Sequence, residues 1–91
     1  MVAEKLGRIR EFVGCLDGVL HPSDFDEVRS AHTYVLSAAK SNPHRIHGAA
    51  NAAVVMLDGL VRSGAYDHDT GEYLDNLAEE FHSLASRVSG N

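Results

Sequence analysis

The stretch SNPHRIHGAANAAVVMLDGLVRSG, residues 41–64, decides how the chain is read. An asparagine–proline pair opens it, a serine–glycine pair closes it, and apolar residues recur between them at Ile46, Ala50, Ala53, Leu57 and Leu60. Alternating spacings of four and three return a side chain to one face of an α-helix, so the stretch is predicted to be a helix with a core-facing side. It is more apolar than a surface helix needs. With residues placed about 100° apart, apolar side chains from Ala52 through Ile46 to Val54 cover roughly 200°, and the polar wedge of His44, His47, Asn51, Asp58 and Arg62 spans about 60°. Such a helix either sits centrally in an irregular bundle or meets a second copy of the chain as a homodimer. The small residues Ala49, Ala50, Ala52 and Ala53 permit close approach in both cases.

The same spacing runs through the rest of the chain. It links Val2, Leu6, Ile9, Val13, Leu16 and Leu20, then Phe25, Val28, His32, Val35 and Ala39, and finally Leu74, Leu77, Phe81, Leu84 and Val88. No alternating strand pattern competes. The spacing predicts helices over about 2–18, 24–41, 43–62 and 70–88. Ser23 is placed to cap the second helix, Asn42 precedes a first-turn proline in the third, and Asp69 with Glu72 has capping-box spacing at the start of the fourth. The segment SGAYDH separates the last two helices. Short connections place sequence neighbours antiparallel, so the expected architecture is all-α: an up-down-up-down four-helix bundle forming a single domain over residues 1–91.

Composition bounds the function. Ninety-one residues with 44% hydrophobic and 23% charged content describe one folded domain with one core. A single cysteine, Cys15, excludes an internal disulfide. There is no signal-peptide pattern and no apolar run of about 18 residues, which leads to an expectation of a cytoplasmic protein. The net charge of −5 is uneven: residues 1–62 balance, and the last third carries Asp67, Asp69, Glu72, Asp75, Glu79 and Glu80 against Arg87. Direct nucleic-acid binding and anionic membrane surfaces both need a cationic face, so neither is expected.

Two surface features are candidates for partner binding. On the fourth helix Glu72, Asp75 and Glu79 project within about 60° of one another, with His82 beside them, and form a stripe able to dock a basic protein surface. On the first helix Gly7, Gly14 and Gly18 project within about 40°, opposite the core, and leave a bare strip of backbone for a closely approaching element, unless Gly18 instead helps to end the helix after Asp17. Glycine inside a helix costs about 1 kcal/mol relative to alanine, so a strip of three calls for compensation.

The six histidines raise two chemical alternatives. His44 and His47 share a helical face, and His21 and His68 share the opposite end of the bundle with Asp24, Asp67 and Asp69. A zinc site requires three or four converging ligands, and these residues divide between the two ends. The segment DHDTGEYLDNLAEE does not keep the register of a calcium loop. His32 falls in a core slot, where a neutral imidazole hydrogen-bonded to a facing polar group is expected.

The neighbourhood of His32, DFDEVRSAHTYVLSAA, resembles the phosphorylatable helix of histidine phosphotransfer domains, which are four-helix bundles carrying an accepting histidine. The resemblance implies His32 as phosphoacceptor, with Ser37, Ala38 and Ala39 following in place. Val35 stands where that pattern has lysine and Leu36 where it has glycine. A second, shorter match, HRIHGAAN, keeps Gly48 but puts His47 in the lysine position.

Cys15 lies at the flank of a core face, the usual place of a small hydrophobe, and the serines lack a nucleophile-elbow or phosphate-cradling motif. The expectation is therefore a non-catalytic protein-binding module (a regulator, adaptor or inhibitor) with no cofactor. A His32 phosphorelay module and a histidine-rich metal-binding bundle are the alternatives.

Overall fold

The computed structural model describes the backbone over residues 2–89 and side chains over 4–42 and 44–86. Four α-helices run in order: α1 (Val2–Cys15), α2 (Pro22–Ser41), α3 (Ile46–Arg62) and α4 (His68–Ser89), with a short 3-10 turn, Pro43–Arg45, leading into α3. There is no strand among the described residues. The predicted spacing selects the buried side chains closely. Ile9, Val13, Leu16 and Leu20 are buried from the first segment, Val28, His32 and Val35 from the second, Ile46, Ala50, Ala53, Leu57 and Leu60 from the third, and Leu74, Leu77, Phe81 and Leu84 from the fourth. Ala38 is buried where Ala39 is expected, and the expected core residues Leu6, Phe25 and Ala39 are only half-buried. The expected core positions Val2 and Val88 lie outside the residues whose side chains are described.

These side chains form one contiguous cluster. Each helix packs on its two neighbours around a ring: α3 on α4 most extensively, then α2 on α3, α1 on α4, and α1 on α2 least. The molecule measures 37 × 20 × 19 Å. At about 1.5 Å rise per residue and about 10 Å per helix diameter, it is one helix long and two helices across. The α3 helix is well enclosed, yet the outer edge of its apolar arc is uncovered: Ala52 is exposed, and Val55, which projects beyond that edge towards the polar wedge, is 72% exposed.

The helix ends depart from the expected boundaries for identifiable reasons. The α1 helix stops at Cys15 instead of continuing to residue 18, because Gly18 adopts a left-handed backbone with φ of +83°. Ser23 does not cap α2; the helix begins with Pro22 at its first turn and without a side-chain cap, and the proline leaves one fewer N–H to satisfy there. Asn42 closes α2, donating its backbone N–H to Ala38 O at 2.8 Å, and its side-chain oxygen accepts from the His44 N–H at 3.2 Å to hold the 3-10 turn. Asp67, not Asp69, caps α4: its carboxylate accepts from the Thr70 N–H at 2.9 Å, and the helix starts at His68. Hydrogen bonds from Thr70 hold the Asp67 carboxyl below its ordinary pKa.

Candidate functional site

The α4 helix is sharply two-sided. Leu74, Leu77, Phe81 and Leu84 are 0% exposed on its inner side, while Glu72, Asp75, Glu79 and His82 are exposed on its outer side. Burying four large apolar side chains is worth roughly 1.5–3 kcal/mol each, so rotation of the helix is closed off and the stripe is held outward. The structure therefore brings all four predicted α4 residues together. Glu72 lies 3.5 Å from His68 Nε2, an i,i+4 contact that becomes an ion pair when the imidazole is protonated. Among the described residues Asp75 and Glu79 have no lysine or arginine within ion-pairing distance. Beside the stripe lies an open depression lined in part by Phe12 of α1, Val54 of α3, Asp75, Asn76, Glu79 and His82.

Glu80, the next acid along, is spent within the molecule. Its carboxylate is 17% exposed and receives Lys5 Nζ at 3.2 Å and Arg8 at 4.0 Å, tying the start of α1 to the later part of α4. On the same flank Phe12 and Tyr73 stack at 5.0 Å, and the Tyr73 hydroxyl donates to Phe12 O at 3.4 Å. Burial first, then its hydrogen bond with Cys15 and the Glu11 charge, push the Tyr73 hydroxyl up to about 12, so it keeps its proton as a donor at any physiological pH.

The glycine strip is not the surface expected. Gly7 and Gly14 lie on α1 with no neighbour within 4 Å of an added Cβ, but Gly18 is outside the helix and its left-handed φ serves the turn. The three do not share one helical face, and Gly7 and Gly14 carry their cost in helix stability without any packing compensation in this chain.

The histidines separate into a buried one and a peripheral set. His47 bridges two elements: Asn51 Nδ2 donates to its Nε2 at 3.2 Å and its Nδ1 lies 3.4 Å from Ala85 O, contacts satisfied together by the tautomer with its proton on Nδ1. His44 is exposed. His21 donates its backbone N–H to the Tyr66 hydroxyl at 3.1 Å and stacks on that ring, while Tyr66 donates to the Asp24 carboxylate. Among the described residues no group of three or more histidine, cysteine, aspartate or glutamate side chains converges on a common point.

His32 is 6% exposed and its Nε2 has no hydrogen-bond partner, contrary to the expected bond with a facing polar group. The slot is apolar because its helix places Val28 and Val35 on the same face. Burial, then the Arg10 charge, lower the pKa of the ring from its ordinary value. In this packing the Nε2 of the ring is closed to solvent.

The Tyr66–Asp24 and Lys5–Glu80 contacts join residues 42 and 75 positions apart and had no local signature by which sequence could reveal them. Comparison with known proteins yields no matching family model, no matching curated protein and no matching solved structure.

Proposed function

We propose that the chain is a non-catalytic protein-binding module, a regulator, adaptor or inhibitor, that docks a basic surface of another protein through Glu72, Asp75, Glu79 and His82. The observation that carries this reading is the state of Asp75 and Glu79: exposed, adjacent, and without a cationic partner among the described residues, on a helix whose inner side is fixed by burial. Glu80, one position on, shows the contrast, since it is already paired with Lys5 and Arg8. Fixed like charges on one face raise the association rate with a cationic surface and disfavour anionic ones, so salt should weaken the complex mainly through slower association.

We also infer an up-down-up-down order for the bundle. Supporting it are the Lys5–Glu80 pair linking the start of α1 to the later part of α4, the Phe12–Tyr73 contact linking the later part of α1 to the start of α4, and the His47–Ala85 contact linking the start of α3 to the end of α4. In this order α4 has two flanks covered by α1 and α3 and its outer face open.

The test is capture from native-host extract with two baits, the wild type and the triple variant Glu72→Lys, Asp75→Lys, Glu79→Lys, followed by mass spectrometry at low and moderate salt. The expected result is unchanged helical circular dichroism together with loss of a basic partner retained by the wild type. Capture of that partner by both baits means the stripe is solvated surface only.

A further inference from the structure

We propose that His32 makes the seating of α1 on α2 sensitive to protons, so that acidification releases α1 while α3 and α4 remain packed. The proposal is independent of the α4 docking face. It begins with an uncompensated polar atom: His32 is 94% buried and its Nε2 has no partner, a state that is tolerated more easily for a neutral ring than for a charged one.

Among the described residues no acceptor lies within hydrogen-bonding distance of His32 Nε2 and no carboxylate is ion-paired with the ring. On its own helix face His32 lies among Val28, Val35 and Ala38, and Arg29, one turn earlier, is exposed. The buried face of α3 is Ala50, Ala53 and Leu57, its charged residues Asp58 and Arg62 pair with each other, and His47 is engaged by Asn51 and Ala85. The buried face of α4 is Leu77, Phe81 and Leu84; Glu80 is held by Lys5 and Arg8, and Asp75 and Glu79 face outward. From α1 comes a positive charge, Arg10, close enough to act on the ring. By helical projection Arg10 lies on the flank of α1 roughly opposite the Lys5 and Arg8 flank that meets α4. A proton on His32 therefore creates a buried cation without a hydrogen-bond acceptor at Nε2, within range of the Arg10 charge carried by α1.

The sign of the pH effect follows by linkage. The folded ring resists protonation, whereas the unfolded ring takes a proton near its ordinary pKa of 6.5. Stability associated with the neutral ring is complete above that pH and is lost as pH falls towards the folded value. The loss is at most about tenfold in the opening equilibrium per pH unit.

The α1 helix is the element that yields. Its contact with α2 is the thinnest in the ring, it has 14 residues against 22 in α4, and Gly7 and Gly14 lower its own helical preference. Elements with few packing contacts open at lower free energy than the whole fold.

Hydrogen exchange of the full chain at pH 7.5 and 5.5, corrected for intrinsic exchange rates, provides the test. In the wild type, peptides within residues 2–15 should lose protection by up to about tenfold per pH unit below 6.5 while those within residues 74–84 keep theirs, and His32→Leu should abolish the difference. Equal α1 protection at both pH values overturns the proposal, as does an identical loss in His32→Leu or a simultaneous loss across the whole chain. If His32→Leu does not fold, NMR titration of the wild type decides: the His32 ring should take its proton below its ordinary pKa of 6.5. A His32 ring that titrates at or above that value overturns the proposal.

Discussion

The first and last helices differ in how completely their sequence commits them. The α4 helix has 22 residues, a side-chain cap at Asp67, and four core side chains at 0% exposure opposite an acidic face. The α1 helix has 14 residues, two glycines at which an added Cβ would meet no neighbour among the described residues, and an end imposed by the left-handed Gly18. They pack against each other through Lys5–Glu80 and Phe12–Tyr73, but α4 also has the extensive α3 contact, whereas α1 has only a thin one to α2. A small bundle can thus be uneven in stability: the half that presents the proposed binding face is the half that is best held.

Core truncation should expose the contrast most strongly. Phe81→Ala is expected to cost about 3–5 kcal/mol, because a 0% exposed ring leaves a cavity in the core. Leu6→Ala on α1, where the side chain is only partly buried, should cost about 1–2 kcal/mol, less than the usual range for a fully buried leucine. Urea unfolding of the two variants compares them directly, and equal losses would remove the distinction between the helices.

Backbone substitutions sharpen it with smaller effects of opposite sign. Gly18→Ala should destabilise by about 1–2 kcal/mol, since its φ of +83° is costly for any residue with a Cβ. Gly7→Ala and Gly14→Ala should each stabilise by up to about 1 kcal/mol because an added Cβ meets no neighbour. If either is strongly destabilising, that position has a contact beyond this chain's own fold. Asp67→Ala should lower the melting temperature measurably while Asp69→Ala changes it little, since Asp67 caps the helix. At the smallest end, acetyl phosphate should leave no acid-labile label on His32 in the folded protein, because the ring is closed off. Label that is lost in His32→Gln would revive the phosphorelay reading.

Much of this was legible in sequence, and the reasons are physical. The spacing of Leu74, Leu77, Phe81 and Leu84 determines which side of α4 is buried, and burial of that side leaves Glu72, Asp75 and Glu79 outside; the same reasoning placed His32 in a core slot. Helix ends were less legible because several residues compete for each one. Asp67 and Asp69 are both chemically able to cap α4, and Pro22 starts α2 ahead of the nearby Ser23. Gly18 was placed on a helical face because projection assumes that the helix continues, and its positive φ is what ends it. The missing partner of His32 and the Tyr66–Asp24 bond depend on which distant side chains meet, which periodicity does not encode.

The most direct measurement of the proposed docking face is zero-length carbodiimide cross-linking of the captured complex, with the joined residues located by mass spectrometry. Lysines of the partner should join to Glu72, Asp75 and Glu79. Cross-links confined to other exposed carboxylates, such as Asp26 and Glu27 on α2, with none on the α4 stripe, would contradict it.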